Sequence, residues 1–408
     1  MASSVDIVPD LDSLNELDAT AEPQDAALEP QEPTADAHEP TPASPRSQDV
    51  AMKQQRVAEF LEDEGYDAVL LGRQDSFAWF TSGGETSTGV AADLGQVILF
   101  LTRDQRCVLA SNVESARTFE EEVAGLGFQL KECPWHEPRE RLIEDICRGR
   151  KVAADFGASG TVQELDKLRR LRINLTELEC QRYRELGRAV AHTIEAACRN
   201  SKPGNTEHEV AAQLSHRMIR HGITPVNLYV AGEERCGQFP LPIHKALPIR
   251  KRLTIRATGR QYGLCASATR TVFFGQPNAE FLRCHQICCM VDASYIFFSR
   301  HDEPASEVLR RAKRIYEKTG SPHEWILAPQ GGVTGYSPCE VLAVPDSPFR
   351  LRAGMAVAWT PSVGAARSGD TVLIHENGFE FLTPCQEWPV VSLTVKGFEL
   401  ERPTVMVL

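Results

Sequence analysis

Long apolar runs are missing from this sequence. Although 42% of its 408 residues are hydrophobic, no stretch approaches the roughly 18 consecutive apolar residues that a membrane-spanning helix needs. The N-terminus is acidic from Asp6 onward and has no basic segment followed by an apolar one, so we expect no signal peptide. The sequence therefore predicts a cytoplasmic protein with no membrane partner.

A surplus of positive charge is also missing. The chain has 44 Lys and Arg against 56 Asp and Glu, a net charge of −12. Because a nucleic-acid-binding surface needs a basic face, we expect no nucleic-acid partner. The twelve cysteines, in a chain without a predicted signal peptide, indicate reduced thiols rather than a disulfide framework.

Residues 1–50 have little from which to build a core. They contain seven prolines and no aromatic residue, and residues 1–49 hold twelve acidic side chains against one arginine. Such a segment cannot bury enough apolar surface to offset the entropy lost on ordering. We predict a disordered acidic tail over residues 1–50, serving as a spacer or as an interaction tail, with the folded part beginning near Met52.

Periodic patterns begin after this tail. Short strand-like runs (68–71, 96–102, 107–110, 128–131 and 152–155) alternate with helical patterns, which predicts an α/β domain over residues 51–172. A boundary near 171–178 precedes a long amphipathic helix, and Thr206 with Glu209 predicts a capping box. Later patterns predict strands over 253–257 and 262–274, helices over 281–298 and 304–319, and a type I′ hairpin turn at Asn377-Gly378.

The stretch from Arg256 to Thr271, RATGRQYGLCASATRT, is the most informative one. Its Gly259, its Tyr262-Gly263 pair and its closing Thr-Arg-Thr resemble the core strands of the pita-bread metallopeptidases, the family of methionine aminopeptidase, Xaa-Pro aminopeptidase, prolidase and creatinase. The resemblance is good over about residues 175–390 and looser over about 50–172. It implies an α/β creatinase-like N-terminal domain over 51–172 and an α+β pita-bread domain over 173–408.

The resemblance also implies where metal ligands would lie. In the metal-dependent relatives, two Asp, one His and two Glu hold two divalent ions that activate a water. The corresponding positions here, each placed by neighbouring landmarks of the family pattern, are Arg256, Ser267, Gly332, Thr360 and Gly369. Glycine has no side chain, and a unit charge about 4 Å from a divalent ion costs on the order of 8 kcal/mol at an effective dielectric of about 20. We therefore expect neither a metal nor another cofactor.

Other residues complete a predicted ligand pocket. Tyr262, Thr269 and Arg270 come from the core stretch, and Cys339 and Glu340 come from the segment that holds the relatives' histidines. Arg256 and Arg270 suit an anion, or alternatively internal ion pairs. Cys339 has no histidine beside it in sequence to make it a nucleophile. Glu340 is expected to make a structural hydrogen bond.

One histidine is a tentative catalytic residue. His244 lies in PIHKALP, which resembles the loop of creatinase, a relative that works without metal. The resemblance implies a general acid–base role for it. The alternative is an ordinary surface histidine.

Three functions from different classes remain open. The first is a pseudo-peptidase without the metal pair, which binds a peptide or small anion or serves as an interaction module. The second is a metal-independent, creatinase-like hydrolase of a small C–N substrate that uses His244 and the arginines. The third is an active Xaa-Pro aminopeptidase or prolidase with unrecognised ligands. An apolar or closed pocket favours the pseudo-peptidase. A pocket in which His244, Arg256 and Arg270 converge favours the creatinase-like hydrolase, and a carboxylate cluster favours the active aminopeptidase. Relatives in the prolidase branch imply a homodimer.

Overall fold

The N-terminal boundary of the folded part lies earlier than predicted. A computed structural model describes residues 44–86, 89, 92–233 and 235–408, and the stretch Ala43–Leu408 forms one compact unit. Residues 1–43 of the predicted disordered tail therefore lie outside the described residues. The predicted end of the tail at residue 50 is wrong, because helix α1 (Pro45–Glu64) begins before Met52. The Ser44 side chain caps this helix, Pro45 lies in its first turn and Val50 is fully buried.

Six strands form the first sheet, in the order β4-β3-β2-β1-β5-β6. They are β1 (Ala68–Arg73), β2 (Leu94–Leu101), β3 (Arg106–Ser111), β4 (Gln129–Cys133), β5 (Val152–Ala154) and β6 (Val162–Gln163). The helices of this half after α1 are α2 (Gln74–Phe80), α3 (Ser115–Arg117) with a π-helical turn at Thr118–Glu122, α4 (Arg139–Cys147) and α5 (Leu165–Ile173). Strand β1 pairs antiparallel with β2 and parallel with β5, so this half is a mixed α/β sheet, as predicted.

The second half begins with two long helices and a hairpin. Helices α6 (Glu177–Asn200) and α7 (Glu207–Arg220) both start with capping boxes, which confirms the one predicted at Thr206. The elements that follow are β7 (Thr224–Gly232), α8 (Arg235–Gln238), β8 (Arg252–Gln261), β9 (Leu264–Phe273), α9 (Ala279–Phe298) and α10 (Ala305–Lys318). Tyr262 and Gly263 have φ angles of 53° and 79° and form the β8–β9 turn, so the strand predicted over 262–274 starts two residues late.

The remaining strands form three further sheets, apart from β19, which pairs parallel with β9. These are β10 (Gly331–Thr334), β11 (Val341–Leu342), β12 (Ala356–Trp359), β13 (Ser362–Val363), β14 (Ala366–Arg367), β15 (Thr371–His375), β16 (Gly378–Phe381), β17 (Val390–Val395), β18 (Phe398–Pro403) and β19 (Met406–Val407). One sheet has the order β19-β9-β8-β7 and another β11-β10-β12-β15-β16, while β13-β14 and β17-β18 are separate hairpins. No helix in the described part of the chain is both long and apolar enough to cross a membrane.

The type I′ turn geometry occurs at a different hairpin from the predicted one. A hairpin joins β15 to β16 where it was predicted, but Asn377 and Gly378 do not have the positive φ angles of a type I′ turn. Lys396 and Gly397, between β17 and β18, do have them, at 53° and 82°.

The two faces of the β8–β9 pair have different neighbours. On one face, a Cβ added at Gly259 would lie 2.8 Å from Val190 of α6, so the strands and this helix pack closely there. The other face includes Arg256 and Thr269, which lie opposite each other in the register. The backbone N–H of Thr269 donates a hydrogen bond to the carbonyl of Gly369, just before β15. This second face is where the predicted site lies.

Candidate functional site

Hydroxyl groups occupy the centre of the predicted site. Ser267 lies opposite Thr258, and Thr269 lies opposite Arg256, so all four side chains share one face of the β8–β9 pair. The Thr258 and Ser267 side-chain oxygens are 2.8 Å apart and hydrogen-bonded. Thr258, Ser267 and Thr269 are buried. The hydroxyls of Thr258 and Ser267 therefore satisfy one another across the strands.

Residues in and next to β12 and β15 contact Ser267 and Thr269. The Thr371 hydroxyl donates to the Ser267 carbonyl at 2.9 Å and accepts from the Ser267 N–H at the same distance. A Cβ added at Gly369 would lie 3.4 Å from the Thr269 hydroxyl and 3.6 Å from Thr360 Cα. The structure thus brings Ser267, Thr269, Thr360 and Gly369 together.

The backbone leaves no room for a side chain at two of the predicted ligand positions. A Cβ added at Gly332 would lie 2.1 Å from the carbonyl oxygen of Val341, and one added at Gly369 would lie 2.5 Å from that of Trp359. Backbone oxygens in strands cannot rotate away as a flexible side chain can. Any residue larger than glycine at 332 or 369 therefore requires the neighbouring strands to move.

The residues present do not fit a pair of divalent ions. The hydroxyls bond to one another, and Arg256 brings a positive charge. The nearby carboxylate of Asp370 is bound to Arg270 at 2.9 Å and to Arg402 at 2.6 Å. Across the described ranges, no group of three or more His, Cys, Asp or Glu side chains is arranged to hold a metal ion.

Arg256 borders a small cavity of about 20 Å³. The walls are Tyr229, Cys236, Phe239, Pro240, Pro242, Thr254, Arg256 and Arg367. The Arg256 guanidinium is 5.7 Å from the centre of the Tyr229 ring, and within the described residues no carboxylate pairs with it. The pKa of Arg256 is lowered to about 10, mainly by burial and in part by the charge of Arg367.

Arg367, which the sequence analysis did not single out, is a second cation at this cavity. Its guanidinium donates to three backbone carbonyls, those of Cys236, Gly364 and Ala366, at 2.7 to 2.9 Å. No carboxylate pairs with it among the residues that the structure describes. The signal that could have found it is its place two residues before Gly369, one of the predicted ligand positions.

Arg270 does not join this cavity. It points to the opposite face of β9 from Thr269, is fully buried, and pairs with Glu195 at 3.1 Å and Asp370 at 2.9 Å. Burial acts to lower the pKa of its guanidinium, but the two carboxylates outweigh this and raise it. Since successive side chains alternate between the faces of a strand, Thr269 and Arg270 cannot both enter one pocket.

Tyr262 lies apart from the Arg256 cavity, in the β8–β9 turn. Its ring is 4.4 Å from the Arg182 guanidinium, and it borders a separate cavity with Asp75 and Gly83.

Glu340 and Cys339 also have other surroundings. Glu340 is bound by Arg172 through two hydrogen bonds of 2.9 and 2.8 Å, and it accepts a third from the Ser337 N–H. Cys339 is exposed, and the surrounding protein together with the Glu340 charge raises the pKa of its thiol. A thiol with a raised pKa is a poor nucleophile at neutral pH.

His244 packs against another histidine. Its ring centre lies 5.0 Å from that of His208, and its Nδ1 is buried without a hydrogen-bond partner among the described residues. Partial burial, and next the neighbouring His208, lower its pKa. Pro242 borders the Arg256 cavity but His244 does not. The structure therefore does not gather His244, Arg256 and Arg270 in one pocket.

Comparison with known proteins agrees with this architecture. Residues 181–376 match metallopeptidase family M24. An uncharacterized peptidase of Staphylococcus haemolyticus is 24% identical over 251 residues, covering 58% of this chain and 70% of that protein. The Xaa-Pro dipeptidase structure from Bacillus anthracis has a TM-score of 0.73 at 16% identity and covers 88% of this chain and 100% of that one. The N-terminal domain of FACT complex subunit SPT16 from chickpea (Cicer arietinum) has a TM-score of 0.67 at 10% identity, covering 84% and 97%. The predicted fold, a creatinase-like α/β domain followed by a pita-bread domain, is confirmed.

Proposed function

Because residues 181–376 match metallopeptidase family M24, we propose that this peptidase-like protein lacks the dinuclear metal centre and binds a small carboxylate at the Arg256 cavity. One observation carries the proposal. Two guanidinium groups, of Arg256 and Arg367, border one small cavity, and no carboxylate in the described residues pairs with either.

An unpaired, half-buried guanidinium favours binding an anion. Removing a charge from water costs free energy unless an opposite charge or hydrogen bonds replace the lost hydration. The planar guanidinium matches a carboxylate through two parallel hydrogen bonds. The pKa of Arg256, lowered to about 10, records the same cost, and a bound carboxylate would raise it again. The apolar side chains of Tyr229, Phe239 and Pro240 in its walls lower the local dielectric and so strengthen the attraction.

The size of the cavity limits what enters it. A space of about 20 Å³ accommodates the carboxylate end of a ligand and little else. The rest of the ligand would lie outside, along the loop that carries the half-exposed side chains of Phe239 and Leu241. A peptide C-terminus and a short carboxylic acid both have this shape.

The two alternative functions have less support. A creatinase-like hydrolase needs His244 near the arginines, and His244 packs on His208 instead. An active aminopeptidase needs a carboxylate cluster, and Asp370 is already bound by two arginines. The homodimer and the cytoplasmic location stay predictions.

The proposal is tested by saturation-transfer NMR with sodium acetate and glycyl-proline, at constant ionic strength set with sodium chloride. We expect both to bind the wild-type chain, and Arg256→Gln to weaken binding by about tenfold or more, since a hydrogen bond to a charged group contributes about 1.5–3 kcal/mol. Arg250→Gln is the matched control, because Arg250 is exposed. Equal binding by the two variants would contradict the carboxylate site.

The same preparation tests the absence of the metal pair. After loading with Mn²⁺ or Co²⁺ and removal of the excess, elemental analysis should find close to zero metal per chain. A result close to two ions per chain would overturn this half of the proposal and direct attention to Xaa-Pro peptides as substrates.

A further inference from the structure

A groove of about 750 Å³ lies between α10 and β17. It shares no lining residue with the Arg256 cavity. Its floor includes Met290 and Phe298 of α9, and its β17 wall includes Leu393 and Val395. A groove of this size is within the range of ligand-binding clefts in proteins. Its apolar floor and its walls indicate what would occupy it.

The α10 wall is basic. Arg310, Arg314 and Lys318 are spaced four residues apart and so lie along one face of the helix. Arg310 pairs with Glu307. Arg314 and Lys318 are exposed, and in the described ranges they have no acidic partner. Lys396, which follows β17 on the opposite side of the groove, is also exposed and has no acidic partner in those ranges. The groove therefore carries uncompensated positive charge on both sides.

The β17 wall is an unpaired strand edge. Strands β17 and β18 form a two-stranded sheet, and Val395 and Phe398 flank its two-residue turn. In such a hairpin the flanking pair exchanges backbone hydrogen bonds and the pairs then alternate. Leu393 and Val395 therefore bond to β18, while Ser392 and Thr394 direct their N–H and C=O groups outward, and no other strand of the described residues pairs with β17.

We propose that this groove binds an extended segment of a partner protein in which acidic and apolar residues alternate. The segment adds to the free edge of β17 as a third strand, which satisfies the outward backbone groups of Ser392 and Thr394. Its apolar side chains cover Met290 and Phe298, as those of Leu393 and Val395 do in β17. Its acidic side chains pair with Arg314 and Lys318 on one side of the groove and with Lys396 on the other.

The charge complementarity is tested by fluorescence anisotropy with a labelled peptide of about eight alternating valine and glutamate residues, within the usual length of a strand. We expect saturable binding that weakens with added salt, and no binding of the matching valine–lysine peptide. Arg314→Glu should weaken binding by about tenfold or more, because like charge then faces like charge. Arg188→Glu, in the exposed middle of α6, should not. Equal effects of the two variants, or equal binding of both peptides, would overturn the proposal.

The strand edge is tested by a proline. Thr394→Pro removes an outward N–H and leaves the hydrogen bonds of Leu393 and Val395 to β18 in place, so we expect about a tenfold loss of peptide binding without loss of the folded chain. Thr394→Val, which keeps the N–H, should bind normally. Unchanged binding by Thr394→Pro would exclude strand addition. A dimer in size-exclusion chromatography that Thr394→Pro converts to a monomer would identify a second copy of this chain as the occupant instead, and would also overturn the proposal.

Discussion

His285 shows how one buried side chain couples folding to protons. It lies in α9 with 5% of its surface exposed, stacked on Phe281 and 3.5 Å from the sulfur of Cys289. Burial lowers its pKa to about 4, because the charged imidazolium loses its hydration. The neighbouring cysteines, Cys288 and Cys289, are buried with raised thiol pKa values, so they belong to the core around His285.

Stability should therefore fall as the solution is acidified through the range of this histidine. In the unfolded chain the histidine has a pKa of about 6.5, so between about pH 6.5 and 4 the unfolded state binds the extra proton. The histidine contributes its full stability above that window and loses it as the pH falls. At about pH 5 the loss is about 2 kcal/mol relative to pH 7.5. Urea unfolding at both pH values measures it.

The His285→Gln variant is the control for that measurement. It lacks the titrating group, so its loss between the two pH values should be smaller by about 2 kcal/mol. Asp155, whose pKa burial raises to about 6, titrates in both proteins and cancels from the difference. An identical pH dependence in wild type and variant would show that His285 is protonated in the folded state.

At the residue scale, the predicted pocket grouped some residues that share a face of the sheet with others that do not. The family pattern placed Arg256 and Ser267 at ligand positions of one site, and the structure has both on one face of adjacent strands. The direction of Arg270 was available from the alternation of side chains along a strand, but the Thr-Arg-Thr motif was treated as a unit. Arg367 approaches the cavity through a two-stranded hairpin, β13-β14, and its place two residues before Gly369 was the local signal of that contact.

At the scale of elements, one close contact fixes how helix α6 packs. A Cβ added at Gly187, in the interior of this helix, would lie 2.1 Å from the carbonyl oxygen of Leu382. Glycine at this position lets the helix approach the backbone that follows β16. The contact therefore requires the absence of a side chain, although glycine weakens a helix interior by about 1 kcal/mol relative to alanine.

Gly187→Ala should destabilise the protein for this reason. Helix propensity alone would stabilise it by about 1 kcal/mol, but overpacking against backbone costs about 1–3 kcal/mol or more, so we expect a net loss. Glu185→Ala, on the exposed side of the same helix, should change stability little. Chemical unfolding of the three proteins measures the differences. A Gly187→Ala variant more stable than wild type would mean that α6 and the Leu382 backbone separate easily.

Elements with strong local signals were predictable, whereas turns were not. Helix α7 has its capping box at Thr206 and Glu209, and strand β1 is a buried apolar run bounded by charged residues. The type I′ geometry was expected at Asn377-Gly378 but is adopted by Lys396-Gly397. A glycine permits a positive φ angle without requiring it, and the neighbouring strands decide where it is used.

At the scale of the whole molecule, buried ion pairs join the first half of the chain to the second. Arg172, at the end of the first half, binds Asp75 at 2.8 Å and Glu340 of the second half at 2.8 Å. Lys53 of α1 likewise binds Glu179 of α6 at 2.7 Å. The four charged side chains that link the halves are all buried: Arg172, Glu340, Lys53 and Glu179. Such pairs arise from residues far apart in sequence, which is why sequence analysis did not find them.

Removing Arg172 should loosen this connection. Arg172→Met removes the cation that binds the buried carboxylate of Glu340 and the partly buried carboxylate of Asp75, and breaking such a buried pair costs about 3–5 kcal/mol. Replacing Asp75 by Asn and Glu340 by Gln in the same chain should recover part of that loss, because the uncompensated charges are then gone. Arg169→Met, one turn earlier and partly exposed, is the matched control and should change little. Denaturant midpoints measure all four proteins, and equal midpoints for Arg172→Met and Arg169→Met would show that the pairs carry no net stability.

The glycines at 332 and 369 also bear on the evolutionary history of this fold. A gene can gain a side chain by changing one codon, provided the fold has space for that side chain. Here a histidine at 332 or a glutamate at 369 would meet backbone oxygen at its first carbon. Gaining either ligand by a single substitution is thereby blocked, and a chain with this backbone keeps its glycines until the strands themselves are rebuilt.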